Sequence, residues 1–286
     1  MAASGWVDAA EWGLVEERDN AVNESRGVLV TGASRGVGAE TAKAFAAAGD
    51  RVVLHCRGAV DKARAVLAGL PGDGHAIVTG DLGDETAIPA VVDESAAALG
   101  RIDVLVNNAA LFVDEPVAGS RRIGHPLEDT SYDEWVAAWR RTLAVNLEGA
   151  AHLTWCVARQ MLDKDPAVGI RRGAIVNVGS RGAYRGEPQV PAYGASKAGL
   201  HAFGQSMAVA LAPHDITVTS IAPGFIATDM AGDLNGPGGD AIRAQSPFGR
   251  VATPEEVAAA VVWLASPVAG WSSGAVVDFN GASYLR

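Results

Sequence analysis

Several features that define particular protein classes are scarce or missing in this sequence of 286 residues. Its two cysteines, Cys56 and Cys156, are far apart, so neither a disulfide framework nor a cysteine-based metal site is indicated. Basic runs are absent, and acidic residues outnumber basic ones by 33 to 23, which argues against a nucleic-acid partner. No apolar run reaches the roughly 18 residues of a membrane-spanning helix. Acidic residues precede the first basic one, unlike a secretory signal, so a cytoplasmic location is predicted.

What the chain does contain is a regular alternation of short apolar segments with longer helical ones. Strands are predicted at residues 28–31, 51–55, 75–78, 104–107, 174–178, 216–221 and 275–279. Helices are predicted from the first glycine-rich turn to residue 48, and at 60–67, 84–99, 131–162, 192–211 and 254–265. Such alternation is typical of a parallel sheet covered on both faces. We therefore predict an α/β fold, a single doubly wound Rossmann-type domain with a seven-stranded parallel sheet and helices on both faces.

This domain is predicted to span residues 27–286. Residues 1–26 precede the regular pattern and are predicted to be an N-terminal extension. The extension contains apolar residues at the spacing of a short amphipathic helix, and a frayed tail is an equally good interpretation.

A glycine-rich turn, with Gly32, Gly36 and Gly38, separates the first predicted strand from the first predicted helix. Glycine lets the backbone turn sharply and approach a pyrophosphate, whose charge is stabilised by free N–H groups at the start of a helix. A glycine-rich turn alone is also compatible with an ordinary strand-to-helix connection. Its position between a strand and a helix favours a dinucleotide cofactor.

The end of the second predicted strand indicates which cofactor is used. In dinucleotide-binding folds an acidic residue there binds the ribose 2′-hydroxyl of NAD. Here the strand ends His55-Cys56-Arg57, without an acid. Arg57, and Arg35 in the glycine-rich turn, could instead pair with a 2′-phosphate, although each alone is also compatible with a solvated surface charge. Together they predict NADP(H).

A tyrosine and a lysine, Tyr193 and Lys197, are four residues apart and would share one face of a helix. An ammonium beside a phenol favours the phenolate and is expected to lower the pKa of Tyr193 toward neutral pH. Ser180 follows the predicted strand at 174–178 and could hydrogen-bond the same substrate oxygen as the phenol. Such a pair alone more often marks an exposed helix face, so its meaning depends on other motifs.

The glycine-rich turn and the Tyr–Lys pair belong to a longer series of motifs. The series is Thr31-Gly-Ala-Ser-Arg-Gly-Val-Gly38, Asp81-Leu82, Asn107-Asn-Ala-Ala110, Asn146, Ser180, Tyr193-x-x-x-Lys197 and Pro223-Gly224. In this order it resembles the short-chain dehydrogenase/reductase family over residues 26–286. Residues 223–230 and 248–257 are similar to the 3-oxoacyl-(acyl carrier protein) reductase branch of that family.

The resemblance implies an NADP(H)-dependent oxidoreductase that interconverts a ketone and a secondary alcohol, in the manner of a 3-oxoacyl reductase. Its partner would be a small carbonyl or alcohol substrate, and the family commonly forms homotetramers or homodimers. Two alternatives remain: the same chemistry on a polyketide, sugar, steroid or pteridine-like carbonyl, and a dinucleotide-binding sensor without catalysis.

The resemblance also assigns roles to residues. Tyr193 would be the general acid in reduction, Ser180 would orient the carbonyl, and Lys197 would hold the nicotinamide ribose. Asn146 would anchor a water chain, or would merely mark a helix kink. The implied cofactor-binding residues are Gly32, Ser34, Arg35, Gly36, Val37, Gly38, Arg57, Asp81, Leu82, Asn108, Ala109, Ala110, Tyr193, Lys197, Pro223, Gly224, Ile226 and Thr228. The histidines are scattered without carboxylate or cysteine clusters, and no metal site is predicted.

Residues 110–135 depart from the family pattern. Ala110 replaces the usual glycine, for which only a slight change in backbone approach is expected. Residues 111–135 form a longer segment than the branch usually has, and it contains Arg121, Arg122 and His125. One hypothesis is that Arg121 or Arg122 contacts an anionic part of the substrate, and a solvated loop is the alternative.

Two further loops are expected on the substrate side. Residues 181–189 offer Tyr184, Arg185 and Glu187 as candidates for contacts with the substrate. Residues 230–250 are rich in glycine and would form either a mobile lid or a loop without a role.

Overall fold

The structure is a computed structural model that describes residues 25–112, 124–163, 171–228 and 238–286. Its centre is one seven-stranded sheet in the order β3-β2-β1-β4-β5-β6-β7, with every neighbouring pair parallel. The strands are β1 (Gly27–Val30), β2 (Arg51–Cys56), β3 (Ala76–Thr79), β4 (Val104–Asn107), β5 (Gly173–Val178), β6 (Ile216–Pro223) and β7 (Val276–Phe279). The strand order reverses between β1 and β4, and ligands bind outside the carboxyl ends of strands at such a point. The predicted fold is confirmed.

Helices cover both faces of this sheet. They are α1 (Gly36–Ala47), α2 (Val60–Ala68), α3 (Ile88–Leu99), α4 (Tyr132–Leu143), α5 (Ala150–Leu162), α6 (Gly182–Arg185), α7 (Pro191–Leu211), α8 (Gly239–Arg243) and α9 (Pro254–Leu264). Helices α1 and α9 pack on one face, and α3, α5 and α7 pack on the other. Consecutive β1 residues Val28, Leu29 and Val30 are all fully buried, two on the first face and one on the second. This two-sided burial explains why the strands read as continuous apolar runs.

Two predicted helices differ from the observed ones. The helix expected from residue 84 begins at Ile88, because the Asp84 carboxylate accepts hydrogen bonds from the backbone N–H (3.0 Å) and hydroxyl (2.7 Å) of Thr86 and holds a turn there. The long helix expected over 131–162 is interrupted by a π-helical turn, Ala144–Gly149, between α4 and α5. It begins as expected at Ser131, which forms a capping box with Glu134.

Some predictions fall on parts of the chain outside the described residues. They are most of the N-terminal extension, both arginines of the longer segment (Arg121 and Arg122), and residues 229–237 of the glycine-rich segment. Within the described ranges, no helix has both the length and the apolar character needed to cross a membrane.

Candidate active site

The glycine-rich turn lies at the carboxyl end of β1, where the strand order reverses. Gly32 and Gly36 have positive φ angles of 66° and 55°, a conformation that favours glycine. A Cβ on Gly38 would lie 2.4 Å from the Gly32 carbonyl oxygen and 2.6 Å from Nδ2 of Asn108, so the backbones meet there as only glycine allows. Arg35 precedes α1, and its side chain does not cap that helix within the described structure. The first N–H groups of α1 are therefore suited to a pyrophosphate.

The loop after β4 is tied to this turn by hydrogen bonds. The Thr31 hydroxyl accepts from the backbone N–H groups of Asn108 (2.9 Å) and Ala109 (3.0 Å), and Nδ2 of Asn108 donates to the Thr31 carbonyl (2.8 Å). A Cβ on Gly32 would lie 2.9 Å from Cα of Ala109. The predicted residues after β1 and after β4 are thus brought together into one cleft.

Arg57 and Asp81 meet at the end of β2 and β3. Nη1 of Arg57 lies 3.9 Å from Oδ2 of Asp81, and both side chains are about half exposed. Oδ1 of Asp81 accepts from the Gly83 backbone N–H (2.9 Å), and Nε2 of His55 bonds to the Gly80 carbonyl oxygen (3.0 Å). Arg57 therefore has a carboxylate neighbour, Asp81, that follows a different strand.

Thr228 closes the cleft from the side of β6. A Cβ on Gly36 would lie 3.3 Å from Cγ2 of Thr228, which places this residue directly against the glycine-rich turn. The backbone around Pro223 and Gly224 is held by two hydrogen bonds, from the Arg181 N–H to the Pro223 carbonyl (2.9 Å) and from the Gly224 N–H to the Phe279 carbonyl (3.2 Å). Predicted cofactor residues from β1, β4 and β6 thus surround the same space.

Ser180, Tyr193 and Lys197 are brought together where β5 ends and α7 begins. The Ser180 hydroxyl hydrogen-bonds the Tyr193 side chain and accepts from the Gly182 N–H (3.0 Å). Nζ of Lys197 lies 5.7 Å from the ring centroid of Tyr193 and donates to the Val178 carbonyl (2.7 Å). Tyr193 and Lys197 are both buried.

Burial changes the acid–base properties of this pair in opposite directions. It raises the pKa of Tyr193 to about 12, while the hydrogen bond from Ser180 lowers it and the charge of Glu187 raises it further. Burial lowers the pKa of Lys197 to about 8. The expectation that Lys197 brings the pKa of Tyr193 toward neutral pH is therefore wrong for this structure. Tyr193 is a neutral phenol at neutral pH, and Lys197 is still mainly a cation.

Asn146 lies in the π-helical turn and connects three parts of the site. Its Oδ1 accepts from the Leu111 N–H (2.7 Å), and its Nδ2 donates to the Leu111 carbonyl (2.9 Å) and the Ser196 hydroxyl (3.1 Å). Ser196 in turn donates to the Tyr193 carbonyl (2.7 Å). The π-helical turn, a rare element that often occurs at functional sites, places Asn146 between the loop after β4 and helix α7.

One residue of the longer segment supports the helix that carries Tyr193. Nε2 of His125 accepts the Ala192 backbone N–H (3.2 Å), the side chain is buried, and its ring packs edge-on against Trp135 at 5.7 Å. Val190, at the N-cap position of α7, makes no side-chain cap within the described structure, and Pro191 has no N–H. The signal in the sequence was a helix start, Val190-Pro191, without a residue able to cap it.

The three candidates of the loop at residues 181–189, Tyr184, Arg185 and Glu187, differ in how far they are buried. Tyr184 stacks on His201 at 5.3 Å, and Glu187 is half-buried, with its pKa raised by that burial. Arg185 lies exposed at the surface. Among the described residues, no group of three His, Cys, Asp or Glu side chains is placed to hold a metal ion.

Comparisons with known proteins agree with this geometry. Residues 32–281 match the family model described as enoyl-(acyl carrier protein) reductase. The chain is 38% identical to cis-4-hydroxycyclohexanecarboxylate dehydrogenase from Sinomonas cyclohexanicum over 90% of this chain and 95% of that protein. It is 35% identical to the 3-oxoacyl-(acyl-carrier-protein) reductase FabG of Vibrio cholerae, over 92% and 98% of the two chains.

A solved structure gives the same result. The crystal structure of a short-chain dehydrogenase from Burkholderia cenocepacia in complex with NADP superposes with a TM-score of 0.76 at 31% identity, covering 90% of this chain and 97% of that one. The family model and the relatives cover about nine tenths of the sequence. The chain therefore belongs to the short-chain dehydrogenase/reductase family, oxidoreductases that act on CH–OH groups with a nicotinamide dinucleotide.

Proposed function

We propose that the protein interconverts a ketone and a secondary alcohol with NADP(H), and that reduction is its main direction. The observation that carries this proposal is the hydrogen-bonded pair Ser180 and Tyr193, with Lys197 on the next turn of α7 and the glycine-rich cleft beside them. The presence of all four proton-transfer residues, including Asn146, favours an enzyme over a sensor that binds a dinucleotide without catalysis.

In this proposal each residue of the site has a separate task. Ser180 donates a hydrogen bond to the substrate carbonyl and fixes its orientation. Tyr193, with a pKa of about 12, keeps its proton at neutral pH and delivers it to the carbonyl oxygen as that oxygen gains charge. When bound, the dinucleotide supplies the hydride. Lys197 holds the nicotinamide ribose and gives the site a positive charge, and Asn146 anchors the water chain that returns a proton toward Lys197.

The cleft fits a dinucleotide, and the proposed binding residues follow from its walls. The N–H groups at the start of α1 would hold the pyrophosphate, and the loop after β4 would line the ribose. Arg57 and Arg35 would bind a 2′-phosphate, with Asp81 at the adenine. Support for NADP(H) comes from these two arginines and from the relative crystallised with NADP. The Asp81 carboxylate beside Arg57 is an acidic group near the site of the 2′-phosphate, so the cofactor preference has to be measured. The test compares kcat/KM for NADPH and for NADH. A clear preference for NADH would overturn the proposal.

The substrate is proposed to be a small ketone or secondary alcohol, with a 3-oxoacyl thioester as the first candidate. One relative is named for a 3-oxoacyl substrate and another for a hydroxylated cyclohexanecarboxylate. The experiment is a screen with NADPH oxidation as the readout, and it should include acetoacetyl thioesters, 4-oxocyclohexanecarboxylate, and sugar, steroid, polyketide and pteridine-like carbonyls. Turnover of at least one ketone that depends on Tyr193 is expected. Alcohol or ketone turnover by none of these classes would contradict the proposal.

We also propose a quaternary structure and a location. Large apolar side chains lie exposed on three separate elements: Trp155 on α5, Val209 on α7 and Trp263 on α9. This pattern supports a homotetramer, or a homodimer, of a domain that spans residues 27–286. Light scattering after gel filtration would test it, and a monomer would contradict it. The cytoplasmic location stays a prediction from the sequence.

A further inference from the structure

The residue after Ser180 has a polar group without a partner. Arg181 is 4% exposed, and its guanidinium lies 5.0 Å from the ring centroid of Phe225. Its Nη2 donates to Oε1 of Gln245 at 2.5 Å. Its Nη1 has no hydrogen-bond partner in the described part of the chain. Buried polar groups in folded proteins are nearly always hydrogen-bonded, so this nitrogen requires an explanation.

This guanidinium lines a cavity of about 300 Å³, a volume within the range of small-molecule sites. Much of the remaining wall is apolar. It includes Phe225, Phe248, Val251 and Phe279. The cavity therefore offers the unpartnered Nη1 donor of Arg181 beside an aromatic and aliphatic surface.

The other charged side chains of the wall already have opposite charges beside them. Arg250 pairs with Glu256 at 2.6 Å, and Asp278 pairs with Arg286 at 2.9 Å. Arg181 is the exception, since among the described residues no carboxylate oxygen lies within ion-pair distance of it. A carboxylate from a bound ligand would give Arg181 the opposite charge that the other charged side chains of the wall already have.

The surroundings of Arg181 have a surplus of positive charge. Gln245 Oε1 accepts from Arg185 as well as from Arg181, so one neutral oxygen serves two guanidinium groups. Burial and the charge of Arg185 lower the pKa of Arg181, while Glu187 raises it. Burial in turn raises the pKa of Glu187. A negatively charged ligand is therefore favoured there.

We propose that this cavity binds the carboxylate end of the substrate, with Arg181 as the recognising cation and the aromatic wall around an apolar body. A carboxylate oxygen at Nη1 would give the charge-assisted hydrogen bond that the guanidinium lacks. Arg181 follows Ser180 directly in the chain, so in this proposal the carboxylate would lie at the carboxyl end of β5, next to the reacting group. That the bound molecule is a substrate rests on the proposed function. The binding experiment below tests the carboxylate site without that assumption.

The kinetic test uses a matched pair of ketones, 4-oxocyclohexanecarboxylate and its methyl ester. R181Q should lower kcat/KM for the acid by about 10- to 100-fold and leave that for the ester within about threefold. R64Q is the matched control, because it removes the same group at an exposed position on α2 that does not line the cavity. It should leave both values within about threefold. An equal effect of R181Q on both ketones would overturn the proposal.

The binding test uses cyclohexanecarboxylate, which has no carbonyl to reduce, with Tm as the readout. It should raise the Tm of the wild type and of R64Q, but not that of R181Q, and cyclohexanemethanol should raise none of them. R181K keeps a cation without the planar fork and should keep part of the shift, which preserves the test if R181Q fails to fold. An equal shift in the wild type and both Arg181 variants would overturn the site. A shift specific to Arg181 without turnover of any ketone would support the site and contradict the proposed function.

Discussion

The hydrogen bond from Ala192 to His125 gives a sharp prediction, because it caps the helix that carries Tyr193. Replacing His125 by leucine keeps a side chain of similar size against Trp135 and removes the acceptor at 3.2 Å. Ala192 is fully buried, so its N–H would lose its partner without gaining water. We expect His125→Leu to lower the free energy of unfolding by about 1–3 kcal/mol, the cost of one buried unsatisfied N–H.

Activity should fall as well, because Tyr193 is the next residue in the first turn of α7. A small displacement of a reacting group lowers its rate strongly, and we expect kcat to fall by about tenfold with the Kd for NADPH unchanged. The two measurements are urea unfolding followed by circular dichroism, and steady-state kinetics beside fluorescence titration of NADPH.

Two further variants distinguish the loss of the Ala192–His125 hydrogen bond from a nonspecific effect of replacing histidine by leucine. His125→Gln offers an amide oxygen as acceptor and should recover part of both losses. His152→Leu makes the same replacement at an exposed position on α5 and should change neither quantity by a measurable amount. If His125→Leu matched the wild type in stability and kcat, the cap would have no role and the reasoning would be refuted.

Three other predictions follow from the cleft and from burial. Gly38→Ala would put a methyl group 2.4 Å from the Gly32 carbonyl oxygen, so fluorescence titration should show at least a tenfold weaker NADPH complex. Gly69→Ala is the control, because its methyl group would make only ordinary van der Waals contacts, and this variant should bind NADPH as the wild type does. Arg57→Leu should lower kcat/KM for NADPH by about tenfold and leave that for NADH nearly unchanged; equal losses with both would contradict a phosphate contact. The pKa of Lys197 falls from 10.5 to about 8 on folding, so between these values the unfolded chain binds more protons and stability rises with pH. Relative to Lys197→Met, the wild type should gain about 3 kcal/mol in urea unfolding between pH 7 and 10.5, and a flat or falling difference would contradict the burial of the ammonium.

The sheet and the cleft could be predicted because their signals are local in the sequence. Strands buried on both faces leave continuous apolar runs, as at residues 28–30, and each predicted strand has its counterpart in the structure within two residues at either end. The glycine-rich turn shows itself through residue type, since Gly38 leaves no room for a side chain. Ser131 at the start of α4 likewise marks the beginning of its helix, because it forms a capping box with Glu134.

What could not be predicted depends on contacts between distant parts of the chain. The cap on α7 comes from His125, 67 positions before Ala192, and no local pattern connects the two. Arg181 stands beside a motif residue, but its burial and its unpartnered nitrogen follow only from the packing of Phe225 and Gln245. The π-helical turn that places Asn146 also depends on such contacts.

The pKa of Tyr193 likewise could not be predicted from the sequence. The sequence placed a cation one helical turn away, which predicts a lowered pKa. Burial is the larger effect in the folded chain and raises that pKa instead. Desolvation depends on everything that surrounds a group, so neighbours along the sequence do not reveal it.

In the proposed reaction, the Tyr193 hydroxyl supplies the proton to the substrate oxygen. The direct measurement is kcat of Tyr193→Phe beside its Kd for NADPH, with the ketone that the wild type turns over fastest. The phenyl ring keeps the packing of the side chain and loses only the hydroxyl. We predict that kcat falls by about 100- to 10,000-fold while the Kd for NADPH stays within about threefold. A variant that retains kcat near the wild-type value would contradict the account.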